Sequence, residues 1–147
     1  TQAFCRPFVP RNGVEYRLPN GWKLITRVFP AAFPEKTQAV HKKDLKNQAD
    51  YARIMMLYPV LCLRSRQPGD GFRPAGRGLR KELRKWMNEA NVPVAQRGML
   101  PLLAAGSEVV WVCGGGFADG LAPDQNTKNI LELELEKMEE YDHEHER

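Results

Sequence analysis

The sequence predicts an α+β fold: a small mixed or antiparallel sheet carrying one basic amphipathic helix, preceded by a β-hairpin. Three observations lead there. Some apolar runs alternate at a period of two, one apolar run recurs at helical spacing, and the elements show no strand–helix–strand rhythm of the kind that builds parallel sheets. A chain of 147 residues with 42% hydrophobic content can bury one modest core or two small ones.

The first element is the hairpin, "VEYRLPNGWKLITRVF" from Val14 to Phe29, two β-rich runs around Pro19-Asn20-Gly21. Asn-Gly supplies the positive φ that a tight turn demands. The next stretch, "PAAFPEKTQAVHKKDLKNQAD", is polar and punctuated by proline, so a linker with one short helix is expected and a boundary between Pro30 and Asp50. "YARIMMLYPVLCLRSR" then ends in alternation, Val60, Cys62, Arg64 and Arg66 on one face of a strand and Leu61, Leu63 and Ser65 on the other. A turn at Pro68-Gly69-Asp70-Gly71 closes it. Leu79, Leu83, Trp86, Met87 and Ala90 recur at helical spacing with Arg80, Lys81, Arg84 and Lys85 between them, which predicts a helix with a basic outer face and an apolar inner one. The prolines of "NVPVAQRGMLPLL" end it, and "SEVVWVCGGGF" reads as a buried strand stopped by glycines. "NILELELEKM" has a helical composition, yet Leu131, Leu133 and Leu135 alternate strictly with Glu132, Glu134 and Glu136, so a strand with one wet face is expected. The organisation is thus residues 1–45 as hairpin and linker, 46–141 as the main domain and 142–147 as an acidic tail.

Charge is distributed unevenly. Residues 1–123 carry 19 Lys and Arg against 9 Asp and Glu, a balance of +10, while residues 124–147 carry 3 against 9, a balance of −6. From Arg64 to Met87, eight cations are opposed only by Asp70 and Glu82. Such a basic body suits a polyanionic partner. Nucleic acid fits that description better than a membrane, because the helix's outer face lacks the aromatic or leucine wedge of an interfacial helix. No apolar run approaches the roughly 18 residues needed to cross a bilayer, and the start, "TQAFCRPF", has no secretory pattern, so a soluble cytoplasmic protein is expected. The missing initiator Met suits a piece of a longer protein.

Enzyme chemistry finds no constellation. Cys5, Cys62 and Cys113 have neither CxxC spacing nor an even count, so no disulfide framework or zinc site is encoded, and the apolar surroundings of Cys62 and Cys113 predict core residues. Gly114–Gly116 lacks the Gly-Lys-Ser/Thr of a phosphate loop and reads as a strand exit. His41 has no obvious partner, and His143 and His145 fall in the acidic tail. Asp70 is expected to shape its turn or to orient an arginine such as Arg66.

The succession "RSRQPGDGFRPAGRGLRKELRKWMNEANVPVAQRGMLPLLAAGSEVVWVCG" resembles the C-terminal domain of the TilS family, the tRNA(Ile)-lysidine synthases. The resemblance rests on Arg64, Arg66, Gly69 and Asp70 as the turn, Leu79–Met87 as the basic helix, Val92-Pro93 as the breaker, Arg97 with Leu100-Pro101, and Val109–Gly114 as the strand. The hairpin also looks like the segment ahead of this domain, so about two thirds of the chain is covered. The resemblance implies a fold related to a domain of the phenylalanyl-tRNA synthetase β subunit, and a partner, tRNA(Ile) with a CAU anticodon, gripped on its acceptor-stem side. In the family, ATP activates the wobble cytidine and lysine is attached by an N-terminal domain with a Ser-Gly-Gly-x-Asp-Ser loop. No such loop exists here, so no catalytic residue, metal or cofactor is expected in this chain, and any homodimer would form through the longer protein. The residues expected to meet tRNA are Arg64, Arg66, Arg73, Arg77, Arg80, Lys81, Arg84, Lys85 and Arg97, with Gly69 and Asp70 shaping the turn. The rival expectation is a protein-interaction module whose basic helix docks on an acidic partner.

Overall fold

The computed structural model describes residues 3–32 and 42–138. His41, His143, His145 and the acidic tail lie outside the described residues. The α+β expectation holds: two sheets share one apolar core, flanked by short helices.

The smaller sheet is antiparallel throughout, in the order β2 (Glu15–Arg17), β3 (Trp22–Pro30), β11 (Asn129–Lys137), β4 (Gln48–Asp50). The expected hairpin forms its first pair. A single 3-10 turn over Pro19–Gly21 joins β2 to β3, with Gly21 at φ 84° and the Leu18 N–H donating to the Trp22 carbonyl at 2.8 Å. β11 is the strand that its alternation predicts. Leu131 and Leu133 are buried, while Glu132, Glu134 and Glu136 face β3, where Arg27 meets Glu134 at 2.7 Å and Glu132 at 3.3 Å and Lys23 meets Glu136 at 3.7 Å. This ladder neutralises part of the acidic excess of the C-terminal stretch.

The larger sheet is mixed and runs β1 (Cys5–Phe8), β5 (Leu61–Arg64), β8 (Leu102–Ala105), β9 (Glu108–Val112), β6 (Gly71–Phe72), β7 (Lys81–Glu82), with β10 (Gly116–Phe117) also on β9. Among the described residues only β6 and β9 run parallel. The α-helices among the described residues are short: α1 (Tyr51–Leu57), α2 (Leu83–Glu89) and α3 (Val94–Arg97). Trp111 is 1% exposed at the centre, its indole N–H donating to Asn47 Oδ1 at 2.9 Å, so the largest core side chain leaves no polar atom unpaired.

Two expectations need correcting. The boundary at residues 45 and 46 is no structural divide, because β1 pairs with β5 and β3 pairs with β11 over nine residues. The N-terminal segment therefore supplies strands to both sheets. The basic helix is also shorter than its apolar period suggests. Leu79 is 74% exposed and Lys81–Glu82 is a strand on Gly71–Phe72, so helix begins only at Leu83. Leu83 and Met87 face the core, Trp86 packs against it half-buried, and Ala90 is exposed.

Candidate nucleic-acid interface

The turn after β5 organises the basic region. Arg64 ends β5 and is 3% exposed, and its guanidinium meets the Asp70 carboxylate in a fork, Nη1 to Oδ2 at 2.9 Å and Nη2 to Oδ1 at 2.8 Å. Nη1 also donates to the Ser65 carbonyl and Nη2 to the Gly106 carbonyl, each at 2.9 Å. Asp70 Oδ2 also accepts the Gln67 N–H at 2.8 Å, and the Asp70 carbonyl accepts the Leu83 N–H at 2.9 Å. Gly69 takes φ 87°, a conformation that a side chain would strain. The hydrogen bond to Asp70, opposed by burial, raises the Arg64 pKa, so this cation is fixed and internal. Arg64 is therefore withdrawn from the expected RNA contacts: it is a positioning residue whose partner Asp70 closes the turn and ties it to the start of α2. Asp70 orients Arg64 and not Arg66.

Arg66 projects from the pinned turn. It is exposed, with Met87 Sδ at 3.9 Å as its side-chain neighbour, and it lines a cleft of about 470 Å³ together with Gln67, Gly69, Glu82 and Arg84. Arg84 is 66% exposed and only loosely held by Glu82 at 3.4 Å. On the other side of α2, Arg77 and Lys81 flank Trp86 in a shallow hollow of about 170 Å³. Lys85 is exposed on the helix between them.

The other expected cations have carboxylate or carbonyl partners. Arg80 pairs with Glu108 at 3.1 Å, and its guanidinium lies over Gly71, where a side chain would require it to move. Lys81 meets Glu89 at 2.6 Å, and that ammonium holds the Glu89 pKa below the usual carboxylate value. Arg73 donates to the Gly78 carbonyl at 2.7 Å, and half-buried Arg97 donates to the Val92 carbonyl at 2.9 Å and to Asn88. Glu82 is thus joined by Glu89 and Glu108 as acidic partners that the basic stretch itself does not contain. Of the expected cations, Arg66, Arg77 and Lys85 have neither a carboxylate nor a carbonyl partner among the described residues, while Arg73 and Arg97 are held by carbonyl or amide oxygens and lack a carboxylate.

Gly114–Gly116 is the strand exit between β9 and β10. A Cβ on Gly115 would lie 2.6 Å from Trp86 Cζ2, and one on Gly116 would lie 2.6 Å from the Lys46 carbonyl oxygen. Gly115 and Gly116 thus admit Trp86 and the Lys46 backbone at close range. Among the described residues no group of three or more His, Cys, Asp or Glu could hold a metal ion, and no helix is long and apolar enough to cross a membrane.

This arrangement defines a β-rich α+β domain whose pinned turn and second helix present exposed cations. Comparison with known proteins places it more closely. The chain belongs to the family described as TilS substrate C-terminal domain, whose model matches residues 61–135. A tRNA(Ile)-lysidine synthase of Caldanaerobacter subterraneus is 34% identical over 101 residues, 67% of this chain and 22% of that protein. The corresponding protein of Dehalococcoides mccartyi is 28% identical over 138 residues, 88% of this chain and 27% of its own length. The one of Symbiobacterium thermophilum is 39% identical over 80 residues, 54% and 17% respectively. The chain therefore spans about a quarter or less of these relatives. A solved structure, "Crystal structure of TILS C-terminal domain", shares the fold at a TM-score of 0.68 and 23% identity, covering 93% of this chain and all of that one.

Proposed function

We propose that this chain is the RNA-holding part of a tRNA(Ile)-lysidine synthase. It grips tRNA(Ile) bearing a CAU anticodon on the acceptor-stem side, in the cytoplasm, while a separate catalytic portion uses ATP and lysine to convert the wobble cytidine to lysidine. The observation that carries the reading is the set of uncompensated cations, Arg66, Arg77 and Lys85, around α2 in a chain of this family. An A-form stem hides its base edges in a narrow groove, so a protein holds it by phosphates, 2′-hydroxyls and shape. Arginines on a pinned turn and a short helix meet that need, because they present donors at fixed spacing. Arg84, Arg80 and Lys81 contribute by exchanging weak surface ion pairs for phosphate, such pairs being worth no more than about 1 kcal/mol each, and Arg73 by exchanging the Gly78 carbonyl.

Binding of tRNA across a salt series tests this. Each neutralised phosphate contributes a log–log slope of about −0.7 to −0.9, so three contacts give about −2 to −3. The triple variant Arg66→Glu, Arg77→Glu, Lys85→Glu should keep its circular dichroism spectrum and lose both affinity and slope. Affinity indifferent to salt, or a triple variant that binds as well as the parent, would overturn the proposal. Loss of binding to an acidic protein with tRNA binding intact would favour the docking-module reading instead.

A further inference from the structure

Two of the three cysteines are brought together across the strands that join the N-terminal segment to the larger sheet. In the β1–β5 register Cys5 lies opposite Arg64 and Pro7 opposite Cys62, so Cys5 and Cys62 sit on one face, diagonal neighbours two residues apart. One step beyond, the Ser65 N–H donates to the Phe4 carbonyl at 3.0 Å. By the alternation of an antiparallel ladder, Cys5/Arg64 and Pro7/Cys62 then occupy the closer, non-hydrogen-bonded positions, where Pro7 has no N–H to forfeit. The right-handed twist of such a pair shortens one diagonal, here the one joining the two thiols. β1 is an edge strand, held on one side only, and can shift to reach disulfide geometry.

We propose that Cys5 and Cys62 form a reversible disulfide, a modification site that staples β1 to β5. Cys5 is exposed and Cys62 half-buried, which assigns their order of reaction. The Cys5 thiolate attacks a small-molecule disulfide such as oxidised glutathione, breaking its S–S bond and releasing one thiol. The Cys62 sulfur, giving up its proton to solvent, then attacks Cys5 Sγ of the mixed disulfide and expels the second thiol. The balance is two protein thiols and one small disulfide giving one protein disulfide and two small thiols. Burial and a hydrogen bond to Cys5 push the Cys62 thiol up, which fits it to the later, resolving role. Cys113 is half-buried at the end of β9, and burial likewise keeps it protonated.

The test treats the full chain with oxidised glutathione and follows it by intact mass and peptide mapping. The expected product has lost two hydrogens, joins the Cys5 and Cys62 peptides, leaves Cys113 free and reverts with excess reduced thiol. Its melting temperature should rise by about 5–10 °C over the reduced chain, because the bond closes a long loop. Cys113→Ser should behave as the parent, and Cys62→Ser should stop at a glutathione adduct on Cys5. A parent chain that also stops at that adduct, or that links two copies through Cys5, would overturn the proposal. So would a joined product that melts no higher than the reduced chain.

Discussion

Replacing Asp70 with Asn keeps the shape of the side chain and removes the charge facing Arg64. In the folded protein the pair is almost dry, with side-chain exposures of 4% and 2%, and Asp70 accepts two bonds from Arg64 and one from the Gln67 N–H. An Asn amide retains one acceptor oxygen and turns an NH₂ group toward a guanidinium that also donates. Breaking one partner of a buried pair costs about 3–5 kcal/mol, most of it from the uncompensated charge left behind. Domains of this size are stable by about 5–15 kcal/mol, so the variant should fold but lose a large fraction of its margin. With a urea slope of about 2 kcal/mol per molar, the midpoint should fall by about 1.5–2.5 M at unchanged slope. Urea titration followed by circular dichroism reads this directly. The paired variant Arg64→Met, Asp70→Leu should recover most of the loss, because neither charge is then stranded. An Asp70→Asn midpoint within a few tenths molar of the parent would refute the account of Arg64 as a positioning residue.

Thr26 lies buried in β3, and its Oγ1 has no hydrogen-bond partner among the described residues, so Thr26→Val should stabilise the protein by about 1 kcal/mol in the same titration. Gly115→Ala should destabilise by about 1–3 kcal/mol, because its methyl group would overlap the Trp86 ring, and near-ultraviolet circular dichroism should report the displaced indole. The Glu89 pKa is lowered by Lys81, so the pair's contribution is present above the ordinary carboxylate value and is lost as pH falls through the depressed one. Carboxyl-detected NMR should show Glu89 titrating below the ordinary glutamate value, and Lys81→Met should restore its ordinary midpoint.

Period-two alternation made β11 legible despite its helical composition, and Asn20-Gly21 marked the hairpin. The helix was half legible. Leu79, Leu83 and Met87 fit one apolar stripe, but Lys81 and Glu82 are claimed by Gly71 and Phe72, a pairing set by tertiary contact and invisible to local periodicity. Arg64 shows the same limit for the site. Its type and its place in a basic run suggest an RNA contact, whereas its burial depends on the turn folding Asp70 back over it. The partners of Arg80 and Lys81 were missed because they lie elsewhere in the chain. Glu108 is 28 residues from Arg80, and Glu89 is eight from Lys81, beyond the i,i+4 reach of a helix.

The pairing of β3 with β11 sets when this chain can fold. Arg27 must wait for a residue 105 positions later before its ion pair exists, and β4 waits for the same strand. During synthesis from the N-terminal side, most of the smaller sheet can therefore close only after β11 has emerged. Non-local pairing of this kind slows folding and leaves edges open in the meantime. A chain shortened to the matched residues 61–135 would lack β1 through β4 altogether, leaving β11 without either neighbour and β5 open on one side. It should aggregate where the chain that keeps the N-terminal strands stays dispersed.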